Sequence, residues 1–116
     1  MPQVELYELG PNRTVLDELA KDLTPRQMAH VERHLRRLET HGRDLGPTYF
    51  EKVKISKRGL SAFRITADKA EVRLLYRQVG DMFVVVHGFV KKGMDVPAHI
   101  VAAADKRWDS WEEDHK

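Results

Sequence analysis

Cysteine is absent from the 116 residues, which excludes disulfides, thiolate-bound metals and cysteine nucleophiles and fits a reducing cytoplasm. No apolar run approaches the length of a membrane span, and the opening Met-Pro-Gln-Val-Glu carries neither a basic region nor a hydrophobic signal core. A cytoplasmic protein of one domain, residues 1–116, is therefore expected. No Ser-His-Asp pattern, no glycine-rich nucleotide loop and no carboxylate pair in the basic region offers the usual catalytic machinery. What is abundant is charge, at 33% of residues, and it is unevenly spread. Residues 1–45 hold 7 basic and 8 acidic side chains, residues 46–94 hold 10 and 4, and residues 95–116 hold 3 and 6. A basic central block is the footprint a polyanion-binding face requires, and equally that of a solvated charged sheet face.

That block contains three β-like runs, Ser61–Ala67, Glu71–Val79 and Met82–Val90, separated by Asp68-Lys69 and Gly80-Asp81. Their β-branched and aromatic content and short turns predict an antiparallel meander. With Asp68 and Lys69 as the two turn residues, Arg64 falls directly opposite Arg73, Phe63 opposite Leu74 and Ile65 opposite Val72. Turning at Gly80-Asp81 sets Val85 against Tyr76, Phe89 against Val72 and Gly88 against Arg73. One face is then a core face. The other gathers two arginines beside a glycine, close to Lys91 and Lys92. Like charges across a ladder destabilise it by up to about 1 kcal/mol, so either an anion lies between them or the register slips and parts them. The converging lysines favour a phosphate.

Around the meander, Gln3–Leu9 reads as an edge strand. Asn12 is expected to cap a short helix, Arg13–Leu23. Thr24-Pro25-Arg26-Gln27 is a strong helix start with a capping box, and Gly42 ends that helix. Its His30, His34 and His41 raise the question of a metal, but the spacing is not that of a metalloprotease and no third ligand is evident; no metal or other cofactor is expected. Tyr49–Ser56 reads as a strand with Val53 and Ile55 on one side and Lys52 and Lys54 on the other, where the lysines either add two cations to the arginine face or blunt an edge strand against aggregation. The basic turn Lys57-Arg58 follows. Pro97 opens a last helix whose Val101, Ala104, Trp108 and Trp111 form an apolar stripe, and Asp109–Asp114 reads as a frayed acidic end.

The succession Phe63-Arg64-Ile65, Val72-Arg73-Leu74-Leu75-Tyr76 and His87-Gly88-Phe89-Val90-Lys91-Lys92, followed by Pro97, resembles the RelE/ParE superfamily of bacterial toxins, in particular its HigB-like, phage-associated branch. The resemblance covers Tyr49 to Ala104. It implies an α+β fold, with an N-terminal strand and helical hairpin packed on a curved, mainly antiparallel sheet and a C-terminal helix. It also implies a type II toxin that cleaves mRNA, on the ribosome and without metal, held in check by a cognate antitoxin of helix-turn-helix type. Matched residue by residue, Arg73 would hold the scissile phosphate, with Arg64, Lys91 and Lys92 completing a cationic site. Lys52, Lys54, Lys57, Arg58 and Arg77 would bind RNA. The tyrosine that several members carry after the lysine pair is missing, and His99 is the proposed substitute because imidazole suits neutral acid–base work. His87 is expected on the core side. A non-catalytic binder of the same fold, such as a gyrase inhibitor or a degenerate toxin, is the alternative. The nuclease reading requires the four cations to point together and to be free of nearby carboxylates.

Overall fold

The computed structural model describes residues 2–116. Strand β1 (Gln3–Leu6) is followed by a small hairpin of β2 (Glu8–Gly10) and β3 (Arg13–Thr14), then helices α1 (Val15–Ala20) and α2 (Pro25–His41). Two short 3-10 turns, Gly42–Leu45 and Pro47–Tyr49, lead to β4 (Phe50–Lys52), the meander β5 (Ser61–Ala67), β6 (Ala70–Val79) and β7 (Met82–Val90), and finally α3 (Ala98–Asp114). The main sheet runs β1-β7-β6-β5-β4 and is antiparallel except where β1 lies parallel to β7. This is the expected α+β arrangement. No helix is long and apolar enough to cross a membrane among the described residues.

The first hairpin folds as its turn residues dictate. Asp68 and Lys69 have φ of 44° and 75°, the left-handed pair that two-residue hairpins need to match the strand twist. Arg64 therefore stands opposite Arg73, with Phe63 against Leu74 and Ile65 against Val72. The second hairpin departs from its expected register. Val85 does face Tyr76, but beyond it Val86 and His87 together oppose Leu75, and Phe89 rather than Gly88 stands against Arg73. The extra residue is a β-bulge, which shifts the rest of the strand by one position.

The bulge serves packing on both sides. Gly88 now lies opposite Leu74 on the face covered by α1 and α2, where a Cβ would come within 2.9 Å of Leu74 Cδ2 and 3.2 Å of Leu19 Cδ2. Its lack of a side chain lets α1 close on the sheet. The other face is no open surface: Val101, Ala104, Trp108 and Trp111 of α3 cover it, packed on Leu60, Ala62, Leu75, Val84, Val86 and Phe89. The sheet thus separates two cores, not a core from solvent.

Two boundaries shift for local reasons. Asn12 adopts φ 57° in the turn between β2 and β3, so capping passes to Thr14. Thr14 Oγ1 accepts from Leu16 N at 3.2 Å, while Asp17 accepts from Thr14 N at 2.8 Å, and α1 is only six residues long. The acidic end is helical through Asp114, because Trp111 is buried and stacks on Trp108 with ring centroids 5.1 Å apart. Helix α2 begins and ends where expected, with the Thr24–Gln27 capping box and Gly42 at its C-cap.

Candidate functional site

The predicted cations do not form one cluster: Lys91 and Arg64 line separate pockets. Arg73 is 3% exposed. Its Nη1 donates to the Val72 carbonyl at 3.1 Å and to Glu71 Oε2 at 3.4 Å, and its Nε lies 4.0 Å from Glu51 Oε2. That Nε has no hydrogen-bond partner among the described residues. The condition that the cations be free of carboxylates therefore fails at the central arginine, which lies between two glutamates.

A groove of about 550 Å3 lies between β4, with the loop after it, and the linker from β7 to α3. Lys52, Lys54 and Lys91 line it with two carboxylates, Glu51 and Asp95, together with Ile55 and Met94, which are 55% and 91% exposed. Lys91 continues the β7 ladder, donating its backbone N–H to the Glu71 carbonyl at 2.7 Å. Arg64 belongs elsewhere. It is exposed, makes no ion pair among the described residues, and lines a separate pocket with His34, Thr48, Tyr49, Thr66 and Glu71. Lys92 is exposed just past the groove, and His99 is exposed in the first turn of α3.

The remaining predicted RNA-binding residues divide by their partners. Lys52 ends β4 and Lys54 lies beyond it, since the strand stops four residues short of Ser56. Ser56 Oγ donates to Asp105 at 2.7 Å and the Lys57 N–H to the same carboxylate at 3.0 Å, pinning the basic turn to α3. Arg58 is engaged by Asp109 through Nε at 2.6 Å and Nη2 at 3.1 Å, and this guanidinium holds the Asp109 carboxyl below its ordinary value. Arg77 lies 4.9 Å over the Trp108 ring and donates to the Arg58 carbonyl at 3.2 Å. The acidic C-terminal block thus occupies part of the basic central block.

His87 does not simply face the α1 and α2 core. At the bulge, Arg107 of α3 reaches past the end of β1 to Glu18 of α1, with Nη1 to Oε1 at 3.0 Å and Nη2 to Oε2 at 2.8 Å, and also donates to the Val86 carbonyl and His87 Nδ1 at 3.0 Å each. His87 Nδ1 is therefore the acceptor and Nε2 carries the proton. Burial, and then the Arg107 charge, push the imidazole below its ordinary value of 6.5, against a partial pull upward from Glu18. Arg107 in turn lowers the Glu18 carboxyl.

Sequence reasoning overlooked Glu51 and Glu71. Glu51 pairs with Ala62 and so lies on the face shared by α3 and the arginines, as does Val53 just past β4. Lys52, expected to add its charge to that arginine face, instead pairs with Ser61 and alternates to the other side. The alternation Glu51–Val53 was the available signal. On α2, His34 Nδ1 donates to the His30 carbonyl at 2.8 Å, and no three potential metal ligands gather among the described residues.

The family model described as Phage derived protein Gp49-like (DUF891) matches residues 17–109. The chain belongs to this family. The Gp49-like proteins are a RelE-like toxin family, so the resemblance in the meander holds at that level, and membership is compatible with the toxin of a toxin-antitoxin pair with an antitoxin as partner. No curated protein matches the chain.

Proposed function

We propose that this Gp49-like protein is a HigB-like endoribonuclease toxin that cleaves mRNA on the ribosome without a metal, but through a different site from the one expected. The four-cation cluster does not form and Arg73 is held by Glu71 and Glu51, which leaves an arginine–carboxylate site with Lys91 at the neighbouring groove. The observation that carries the proposal is Arg73: a guanidinium nine-tenths buried, with an Nε–H that finds no hydrogen-bond partner among the described residues, 4.0 Å from Glu51 at the wall of a groove that also holds Lys52, Lys54 and Lys91. The charge of Arg73 is paired with Glu71 and, more loosely, with Glu51, but an N–H left without a hydrogen bond in a low-dielectric site is costly at rest and most useful when negative charge develops next to it.

RNA supplies its own nucleophile. The 2′-hydroxyl loses its proton to a base, its oxygen bonds to phosphorus, and the P–O5′ bond breaks as the 5′ oxygen takes up a proton, leaving a 2′,3′-cyclic phosphate and a 5′-hydroxyl. Arg73 and Lys91 stabilise the phosphorane charge. Glu51, 45% exposed and 4.0 Å from Arg73, is the carboxylate suited to accept the 2′ proton. Lys92 protonates the leaving oxygen, and His99 stands as the second candidate in place of the missing tyrosine. Lys52 and Lys54 steer the strand.

Arg73→Ala and Lys92→Ala should each reduce cleavage about 10²–10³-fold and relieve growth arrest while the protein stays folded by circular dichroism. Unchanged toxicity in both variants rejects the assignment. The hold that Glu71 and Glu51 have on Arg73 favours a second reading, a non-catalytic binder such as a gyrase inhibitor. Mapping mRNA 5′ ends after induction separates the two, because a gyrase poison breaks DNA and leaves transcripts uncut.

A further inference from the structure

Helix α2 turns about 100° per residue, which sorts its polar residues into two flanks beside the buried Val31, Leu35 and Leu38. One flank carries Arg26, His30, Arg33, His34, Arg37 and His41, with no carboxylate; the other carries Glu32, Arg36 and Glu39. The basic flank meets the pocket that holds Arg64. His34 lines that pocket, and the Arg37 guanidinium lies 5.8 Å from the centroid of the Tyr49 ring at its wall. The pocket measures about 380 Å3 and opens where β5 runs on past β4, whose first residue pairs with Phe63.

Its chemistry is that of an anion site. Arg64 has no ion-pair partner among the described residues, and the hydroxyl-bearing Thr48, Tyr49 and Thr66 line the same pocket. The one carboxylate, Glu71, is already engaged, accepting from Thr66 Oγ1 at 3.1 Å and Arg73 Nη1 at 3.4 Å. Glu71 also links the pocket to Arg73, so an anion beside Arg64 is a neighbour of one beside Arg73.

We infer that this pocket is a second phosphate subsite, and that the basic flank of α2 carries the RNA strand onward from it, around the sheet edge and away from the Lys54–Arg58 turn. The inference rests on the RNA-cleaving reading and gives it a direction. It also assigns a role to the histidine and arginine stripe of α2 that no metal explains. Arg58 and Arg77, in contrast, are committed to Asp109 and Trp108.

The test is the binding of a fluorescein-labelled single-stranded RNA to the intact protein, followed by anisotropy as salt is varied. Each phosphate contact contributes about 0.7 to the slope of log K against log salt on a single strand. The double variant Arg33→Ala/Arg37→Ala should lower the slope by about 1.4, whereas Arg36→Ala, on the opposite flank, should leave it unchanged. Thr48→Val removes a hydrogen bond but no charge, so it should weaken binding about tenfold at an unaltered slope. Melting temperatures verify that each variant is folded. Wild-type binding whose slope ignores the double variant, falls equally with Arg36→Ala, or whose affinity ignores Thr48→Val overturns the subsite and leaves the nuclease reading standing. A wild-type protein with no affinity for RNA overturns both.

Discussion

At the scale of single residues, His87 shows how a side chain acquires a property its sequence position does not announce. Its Nδ1 must stay unprotonated to accept from Arg107, and burial and the guanidinium both depress its proton affinity. Because the folded value lies below 6.5, the unfolded chain takes up a proton near that pH that the folded chain refuses. The stabilisation is full above about 6.5 and is lost as pH falls from there through the folded value. The melting temperature should therefore drop between pH 7.5 and 5. His87→Gln, which keeps a neutral acceptor toward Arg107, should flatten that drop, and equal slopes in the two proteins would contradict the assignment. The pairing of Arg64 with Arg73 was legible in the sequence because two turn residues define it. The fate of Arg73 was not, since burial and the approach of Glu51 depend on which face α3 covers, and no local pattern encodes that.

Among the elements, the contact of α1 with β7 turns on Gly88. The sequence invites reading this glycine as clearance beside the arginines, but the bulge at Val86–His87 moves it to the opposite face, against Leu19 and Leu74, both fully buried. Buried leucines packed on every side have no empty rotamer to adopt. Gly88→Ala should thus destabilise the protein by about 1–3 kcal/mol, read as a lower urea midpoint with an unchanged m-value, and should not alter cleavage per folded molecule. A loss of cleavage without loss of stability would return Gly88 to the site. Bulges leave little trace in a sequence, because a strand with one extra residue keeps its composition and changes only its alternation. Helix α2 was legible to the residue because Thr24, Pro25, Gln27 and Gly42 are each local signals with a local mechanism. Helix α1 was misread because Asn12 suits a left-handed turn as well as a cap, and the β2–β3 hairpin uses the turn.

For the whole molecule, one sheet shared by two cores governs how it holds together. Strands β5, β6 and β7 place Phe63, Leu74 and Val85 against α1 and α2, and Ala62, Leu75 and Val84 against α3. Neither cluster can come apart without stripping a face from the same three strands. Further ties cross between the layers or pin the loops: Arg107 to Glu18, Trp111 Nε1 to Glu5, and Asp105 to the Ser56 turn. The two tryptophans lie wholly in the α3 cluster, while α2 and α3, each 17 residues, supply most of the helical signal. Tryptophan fluorescence therefore reports on one core and far-ultraviolet circular dichroism on both. Under a shared sheet the two should give one coincident urea transition. Trp108→Ala, which empties a site 1% exposed, should move both curves together by about 3–5 kcal/mol. If fluorescence were lost at lower urea than ellipticity, α3 would be a separable lid, and the end of the sheet where Arg73 lies would be free to open without unfolding the rest.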